Sequence, residues 1–148
     1  MKTQAQLIKQ FGNPEVSRLP FENKWMKVWI VPADIREAIP CMPAKIYLNR
    51  LIEVPLNMAL RKLIALGLHT EIKTWDGCFN IRKKRGSSGI SAHAFGIAVD
   101  INAATNPFRG AVTWSKPFLK VWRDTGWICG ADWSAASRDG MHFQWERY

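Results

Sequence analysis

Two histidines and two aspartates stand in patterns that could hold a metal ion and use it. The decapeptide SAHAFGIAVD, residues 91–100, sets His93 and Asp100 in a small, otherwise apolar segment, and DGMHF sets Asp139 three residues before His142. His93, Asp100 and His142 would give zinc three protein ligands and leave a fourth position open for water, as catalytic zinc sites do. Asp139 could then take a proton as water attacks a carbonyl group. The pattern predicts peptide hydrolysis without a covalent intermediate.

His93 and Asp100 can reach one ion only if the chain bends between them. A regular strand would place them about 23 Å apart on opposite faces, and a helix would separate them by roughly 10 Å along its axis. Zinc ligands lie only about 2.0–2.2 Å from the ion. Gly96 is the residue best able to allow the bend. Gly96 and Ala98 would also leave space around the carboxylate.

The elements around these residues predict an α+β domain, with a small, mainly antiparallel sheet flanked by two to three helices. The helices begin or end at recognisable caps: from the Thr3 cap to about Phe11, from Pro55 to about Leu66, and from the Ser115 cap to Gly126. The strands are short and rich in β-branched or aromatic residues: 25–31, 70–75, 95–101 and 141–145. In FGIAVDI the alternation puts large apolar residues on one face and Gly96, Ala98 and Asp100 on the other.

Length and charge limit the classes of function. The 148 residues fit one domain, and we expect residues 1–148 to form a single catalytic domain. The net charge of +9 favours an anionic partner by long-range attraction. The densest basic cluster, Arg82 to Arg85, would by default be a solvated loop. No helix-turn-helix, RNA-recognition or zinc-finger pattern accompanies it, so nucleic acid is not the expected partner.

No membrane span or export signal is expected. No run approaches the roughly 20 apolar residues of a transmembrane helix, and the start MKTQAQLIKQFGNP lacks the apolar core of a secretory signal. We therefore expect synthesis and accumulation in the cytoplasm.

The two motifs resemble the zinc peptidases of peptidoglycan. SAHAFGIAVD has the spacing SxHxxxxxxD, and DGMHF supplies a later DxxH. This family comprises D-alanyl-D-alanine carboxypeptidases and phage L-alanyl-D-glutamate endopeptidases. The flanking segments CFNIRKKRGSSGISAHAFGIAVDIN and TGWICGADWSAASRDGMHF resemble the phage endolysin-like members. The resemblance covers about residues 68–146, whereas the first third of the chain shows none.

Carried over position by position, the resemblance implies zinc held by His93, Asp100 and His142, with Asp139 as catalytic base. Many relatives have Glu at the base position, and Asp can perform the same proton transfer. The family also uses an arginine upstream of the first histidine to polarise the substrate carbonyl. Arg82 is the first candidate for that role and Arg85 the second. The implied fold is the small α+β fold shared with the signalling domain of hedgehog.

The resemblance implies an enzyme that cuts the stem peptide of peptidoglycan, as a phage endolysin-type L-alanyl-D-glutamate endopeptidase. A D-alanyl-D-alanine carboxypeptidase would use the same zinc and base, and a non-catalytic zinc-containing binding domain is the alternative of another class. A basic nucleic-acid binder with no need of metal is the third class. We expect a monomer in the host cytoplasm, without a signal peptide, that reaches the wall after release. Its charge would favour anionic wall or outer-membrane polymers.

Several of these residues also have structural interpretations. Asp139 could be a turn residue in RDG, and Asp132 is a second candidate for the base. Ser91 is expected to form a local hydrogen bond, because no base triad would activate it as a nucleophile. His69, near a helix end, is expected to be an ordinary hydrogen-bonded residue. Three tryptophans are expected in the core, or in a wall of the substrate groove: Trp127, Trp133 and Trp145.

Overall fold

A computed structural model describes residues 1–148 as an α+β arrangement of five α-helices and six strands. The α-helices are α1 Gln4–Phe11, α2 Arg18–Trp25, α3 Ala33–Ala38, α4 Glu53–Ala65 and α5 Lys116–Asp124. The strands are β1 Met26–Ile30, β2 Lys45–Asn49, β3 Trp75–Gly77, β4 Ala98–Ile101, β5 Ile128–Cys129 and β6 His142–Gln144. Short 3-10 helices cover Arg50–Ile52, Leu68–Glu71, Ala92–Phe95 and Gly130–Asp132. No helix has the length and apolar character needed to cross a membrane.

The strands form two antiparallel sheets rather than the one predicted. β1 pairs with β2, and the other four strands lie in the order β3-β4-β6-β5. In the second sheet Asp100 of β4 is the direct cross-strand partner of His142 of β6. Directly opposed residues of an antiparallel pair have neighbouring side chains on one face. This register therefore brings two of the predicted ligands together although 42 residues separate them.

The three predicted helices are present, and the caps predicted at Thr3 and Ser115 are confirmed, whereas α4 begins at Glu53 rather than Pro55 and has no side-chain cap. Thr3 and Gln6 form a reciprocal capping box at the start of α1. Ser115 accepts a hydrogen bond from the Phe118 N–H at 3.2 Å at the start of α5. The prediction of two to three helices was nevertheless too low, because α2 and α3 were missed. Neither has a side-chain cap, so neither has the start signal on which the predictions of α1 and α5 relied.

The strand predicted over residues 70–75 was wrong. The segment begins inside the 3-10 helix Leu68–Glu71, and only Trp75 enters β3. Instead of a neighbouring strand, the side chain of Asn102 accepts hydrogen bonds from two consecutive backbone N–H groups of the segment, at 2.7 and 3.0 Å. A side chain thus replaces the sheet as hydrogen-bond partner.

The first third of the chain packs into the same hydrophobic core as the rest. One cluster of 34 buried residues includes Leu7 and Phe11 of α1 as well as Val99 of β4 and Phe143 of β6. Phe11 also contacts Tyr148 near the end of the chain, with ring centroids 5.0 Å apart. The N-terminal elements therefore help to hold the sheet that carries Asp100 and His142.

Candidate metal and catalytic site

The bend expected between His93 and Asp100 is present. Ser91 Oγ accepts a hydrogen bond from the His93 N–H at 3.4 Å and caps the 3-10 helix Ala92–Phe95. Gly96 then takes the left-handed conformation, with φ of +65°, and β4 begins at Ala98. The alternating strand predicted from residue 95 is therefore shorter than expected.

The bend depends on the first third of the chain. A Cβ atom at Gly96 would lie 2.6 Å from Met26 Sδ of β1 and 2.9 Å from the backbone nitrogen of Asn49 in β2. The Asn49 N–H donates to the Gly96 carbonyl at 2.9 Å, and its side-chain amide donates to the Phe95 carbonyl at 3.0 Å. The small β1–β2 sheet thus holds the turn that carries His93, and only glycine fits at its centre.

Three buried donor atoms converge at the end of this bend. His93 Nε2 lies 3.1 Å from Asp100 Oδ1 and 3.1 Å from His142 Nδ1, and His142 Nδ1 lies 3.2 Å from Asp100 Oδ1. A tetrahedral zinc ion with bonds of about 2.0–2.2 Å holds its ligand atoms about 3.4 Å apart. The three separations are close to this value, so the group could bind a metal ion.

The hydrogen-bond partners of both imidazoles leave a lone pair on each converging nitrogen. His93 Nδ1 lies 2.6 Å from the Cys78 carbonyl oxygen, which can only accept, so Nδ1 carries the proton. His142 Nε2 lies 2.8 Å from Gln144 Oε1, another acceptor, so Nε2 carries the proton there. Two nitrogen lone pairs and a carboxylate oxygen therefore face one another. This donor set fits a cation, because no proton lies among the three converging atoms.

No role was predicted from the sequence for Gln144 or Glu146. Glu146 fixes the orientation of the Gln144 amide. Gln144 Nε2 donates to Glu146 Oε1 at 2.5 Å, which turns Oε1 of the same amide toward His142. Glu146 in turn accepts from the backbone N–H of Lys2. Gln144 follows His142 by two positions on β6, and this period of two would have placed it on the same face.

Asp100 has a pKa well below its usual range. Burial raises this pKa, but His142 and His93, when they are protonated, lower it by more through hydrogen bonds to the carboxylate and through their positive charge. The carboxylate is therefore ionised and available as a ligand at neutral pH.

Asp139 lies beside the converging atoms and is poorly solvated. Its backbone N–H donates to the Gly130 carbonyl at 3.0 Å, and a Cβ atom at Gly130 would overlap the Asp139 carbonyl. Its Oδ1 is buried with no hydrogen-bond partner. Burial raises the pKa of the Asp139 carboxyl, and the charge of Asp100 adds to the rise, while His142, Arg85 and His93 oppose it. A carboxylate held in this way binds a proton more readily than a free aspartate.

Asp139 and His142 line one cleft of about 360 Å³. Trp133 forms part of its wall, with its ring centroid 5.2 Å from that of His142. Trp127, by contrast, is buried in the core. The tryptophan expected in a groove wall is therefore Trp133.

The basic loop predicted to contact substrate faces the same cleft. Arg82 and Arg85 both line it, and the Arg82 carbonyl accepts from the Ser91 N–H at 3.0 Å, which anchors Arg82 beside the segment that carries His93. Lys83 points elsewhere and pairs with Glu15 at 2.7 Å.

Two other predicted residues lie apart from the converging atoms. Asp132 is exposed and forms a double contact with Arg123 at 2.6 and 2.8 Å, so it does not share the environment of Asp139. His69 belongs to the 3-10 helix Leu68–Glu71 and is not among the residues of the metal-binding group.

A sequence comparison identifies the segment that carries this site. Residues 85–145 match the family model described as D-alanyl-D-alanine carboxypeptidase. No curated protein and no solved structure matched the chain. The matched segment contains His93, Asp100, Asp139 and His142. The match covers less than half of the chain and supports a peptidase function for this segment, and the buried His93, Asp100 and His142 group could bind the metal ion of such an enzyme.

Proposed function

We propose that this chain is a zinc-dependent endopeptidase of phage endolysin type, which hydrolyses the bond between L-alanine and D-glutamate in the stem peptide of peptidoglycan. The observation that carries the proposal is the convergence of the His93 and His142 lone pairs on the Asp100 carboxylate, next to the cleft that His142 and Asp139 line. The family match of residues 85–145 supports the peptidase class.

His93, Asp100 and His142 would hold the zinc ion. Bound zinc supplies a Lewis acid that makes water acidic enough to serve as a nucleophile at neutral pH. Asp139 would accept the proton from the attacking water on its carboxylate and pass it to the leaving amine. Its partial burial supports this role, because burial raises the pKa of the Asp139 carboxyl, which therefore takes up a proton more readily than a free aspartate does.

Arg82 would polarise the substrate carbonyl as negative charge develops on its oxygen. The backbone of Arg82 is fixed to Ser91, next to the helix that carries His93, whereas Arg85 is exposed further along the loop. This anchoring favours Arg82 over Arg85 for the position nearest the reacting bond. The fold we propose is the one shared with the hedgehog signalling domain.

The endopeptidase specificity rests on the segments around the two motifs, which resemble phage endolysin-like members. Such an enzyme would accumulate in the host cytoplasm and act on the wall after release. The net charge of +9 would attract the enzyme to anionic wall or outer-membrane polymers.

A D-alanyl-D-alanine carboxypeptidase is the second candidate, because the matching family model bears that description. A zinc domain that only binds is disfavoured by Asp139, whose unpartnered buried oxygen has no evident structural role.

Digestion of isolated peptidoglycan, with the fragments identified by mass spectrometry, distinguishes these candidates. The endopeptidase would release stem peptides that begin with D-glutamate. Release of free D-alanine would establish the carboxypeptidase instead, and absence of any fragment from the zinc-loaded protein would refute both. Lys83→Gln should digest like the wild type, since Lys83 pairs with Glu15 away from the cleft, whereas Asp139→Asn should release nothing.

A further inference from the structure

The cleft beside Asp139 is lined by more positive charge than its own residues neutralise. Arg82, Lys84, Arg85 and Arg109 all line it, and none forms a salt bridge. Glu146, which also lines the cleft, is already engaged by Gln144 at 2.5 Å. Unpaired cations gathered in one cleft favour an anionic ligand.

Two of these cations meet on one aromatic ring. The guanidinium carbon of Arg109 lies 4.9 Å from the ring centroid of Phe108, and that of Arg85 lies 5.7 Å from the same centroid. These cation–π contacts hold both guanidinium groups over the ring while leaving donors free. Arg109 Nη2 also reaches the basic loop, since a Cβ atom at Gly86 would lie 3.5 Å from it.

The backbone of Arg109 adopts a conformation that favours glycine. Its φ is +59°, and Asn102 is the one other non-glycine residue with positive φ. Arginine gains nothing locally from this left-handed conformation, and such outliers concentrate at ligand sites. The Arg109 N–H donates to the Arg138 carbonyl and its Nε donates to the Ala136 carbonyl, both at 2.7 Å. The strained residue is therefore locked in place with its terminal nitrogens available.

This pair of arginines lies next to the proposed base. Phe108 forms an isolated antiparallel bridge with Asp139, and the charge of Arg85 acts on the Asp139 carboxyl. A ligand group held by Arg85 and Arg109 would therefore lie beside the bond that Asp139 helps to cleave.

We propose that Arg85, Phe108 and Arg109 form a subsite for a free side carboxylate of the substrate, so that the enzyme selects acidic stem peptides over their amidated forms. Guanidinium groups match carboxylate geometry with paired N–H donors. A primary amide has the same shape but no charge, and it would present its own N–H groups to these donors. The inference rests on the proposed function and names the substrate class for that site.

The test measures how fast the zinc-loaded protein cleaves each of two synthetic peptides. One is L-alanyl-γ-D-glutamyl-diaminopimelyl-D-alanine with free side carboxyls, and the other carries amides at the D-glutamate α-carboxyl and the diaminopimelate side carboxyl. We expect kcat/KM to be at least about tenfold higher for the acidic peptide, mainly through KM, since one charge-assisted contact changes binding by about that factor. Equal values for the two peptides would overturn the subsite.

The variants Arg109→Gly and Arg85→Gln test whether these arginines bind the substrate carboxylate or only stabilise the fold. Glycine relieves the cost of φ of +59° but loses the Nε hydrogen bond to the Ala136 carbonyl, so Arg109→Gly should change the melting temperature little, yet it should reduce the preference for the acidic peptide about tenfold. A purely structural role would lower kcat/KM for both peptides equally and leave their ratio unchanged, which would contradict the proposal. Lys83→Gln, in the same loop but paired with Glu15, is the matched control and should keep the full preference.

Binding of the peptides to Asp139→Asn, measured by calorimetry, separates this inference from the proposed function. Tighter binding of the acidic peptide that depends on Arg109, without cleavage by the wild type, would support the subsite and refute the peptidase. Cleavage of both peptides at equal rates would support the peptidase and refute the subsite.

Discussion

His93 Nε2 and His142 Nδ1 lie 3.1 Å apart, and the opposite nitrogen of each ring is held by a carbonyl oxygen. Two lone pairs are thereby directed at each other and at the Asp100 carboxylate. Such an arrangement is unfavourable without a positive charge among the three atoms, and a metal ion supplies one. The residues that hold the outer ring nitrogens are therefore as much part of the site as the ligands.

Gln144→Leu should weaken zinc binding about 10–100-fold, which is typical for loss of a partner that orients a metal-binding histidine. The leucine removes the acceptor at 2.8 Å from His142 Nε2, so the ring no longer keeps its proton on Nε2. Zinc competition with a chromogenic chelator measures the affinity, and nitrogen-15 NMR of the histidine rings reports the tautomer. Gln4→Leu, which removes an amide that accepts from the Ile90 N–H at 2.9 Å, should leave both unchanged. Wild-type affinity in Gln144→Leu would show that Gln144 does not position His142.

Zinc should stabilise the wild-type fold but not His142→Ala. Binding to the folded state alone raises the free energy of unfolding by about 2.7 kcal/mol when free zinc is 100-fold above its Kd. Melting temperatures measured with zinc and with chelator test this difference. His69→Ala removes the one histidine outside the group and should respond to zinc as the wild type does. An equal response in His142→Ala would place the ion elsewhere.

Asp139→Asn should abolish turnover, keep zinc and raise the melting temperature of the metal-free protein by about 1–3 °C. The pKa of Asp139 is raised by folding, so the folded state binds this proton more tightly than the unfolded state. Stability therefore falls as pH rises through the folded pKa, and the ionised carboxylate destabilises the fold at neutral pH. Removing the charge relieves this cost. Calorimetric melting at two pH values checks the effect, which should shrink at acidic pH.

The matched control for Asp139→Asn is Asp132→Asn, which removes the charge of the other candidate base. Asp132 is exposed and pairs with Arg123, so its substitution should leave turnover near the wild-type level. Loss of activity in Asp132→Asn, with retention in Asp139→Asn, would reverse the assignment of the base.

Gly96→Ala should lower the free energy of unfolding by about 2–4 kcal/mol, since it adds a left-handed alanine and a steric overlap. The new methyl group would lie 2.9 Å from the Asn49 backbone nitrogen, which cannot move aside as a side-chain end can. Gly67→Ala is the matched control, because Gly67 has φ of +70° and a methyl group there would have no atom within 4 Å. The free energy of unfolding of Gly67→Ala should fall only by the cost of a left-handed alanine, about 1–2 kcal/mol. Equal losses in urea denaturation would show that the close approach to β1 and β2 carries no cost.

Much of the site could be predicted because its chemistry is encoded in short spacings. The need for a bend at Gly96 followed from the distance that a strand or helix would put between His93 and Asp100. The supporting contacts could not be predicted in the same way. The Cys78 carbonyl is a backbone group, which every residue type carries, so the sequence does not single it out. The left-handed conformation of Arg109 could not be predicted either, because arginine does not favour that conformation.

The fold was predictable where local signals were strong. Helices α1, α4 and α5 have caps or an amphipathic stripe, whereas α2 buries only Phe21 and has no side-chain cap hydrogen bond. Residues 70–75 have the composition of a strand, but the Asn102 side chain, about 30 positions away, satisfies their backbone. Such long-range partners override local propensity.

The most direct test of the central claim is a crystal structure of the protein purified without chelator, with anomalous diffraction recorded at the zinc absorption edge. We predict one zinc peak per chain, within about 2.0–2.2 Å of His93 Nε2, Asp100 Oδ1 and His142 Nδ1. A zinc-loaded crystal with no peak among these three atoms, or with its peak at another group of residues, would contradict the account.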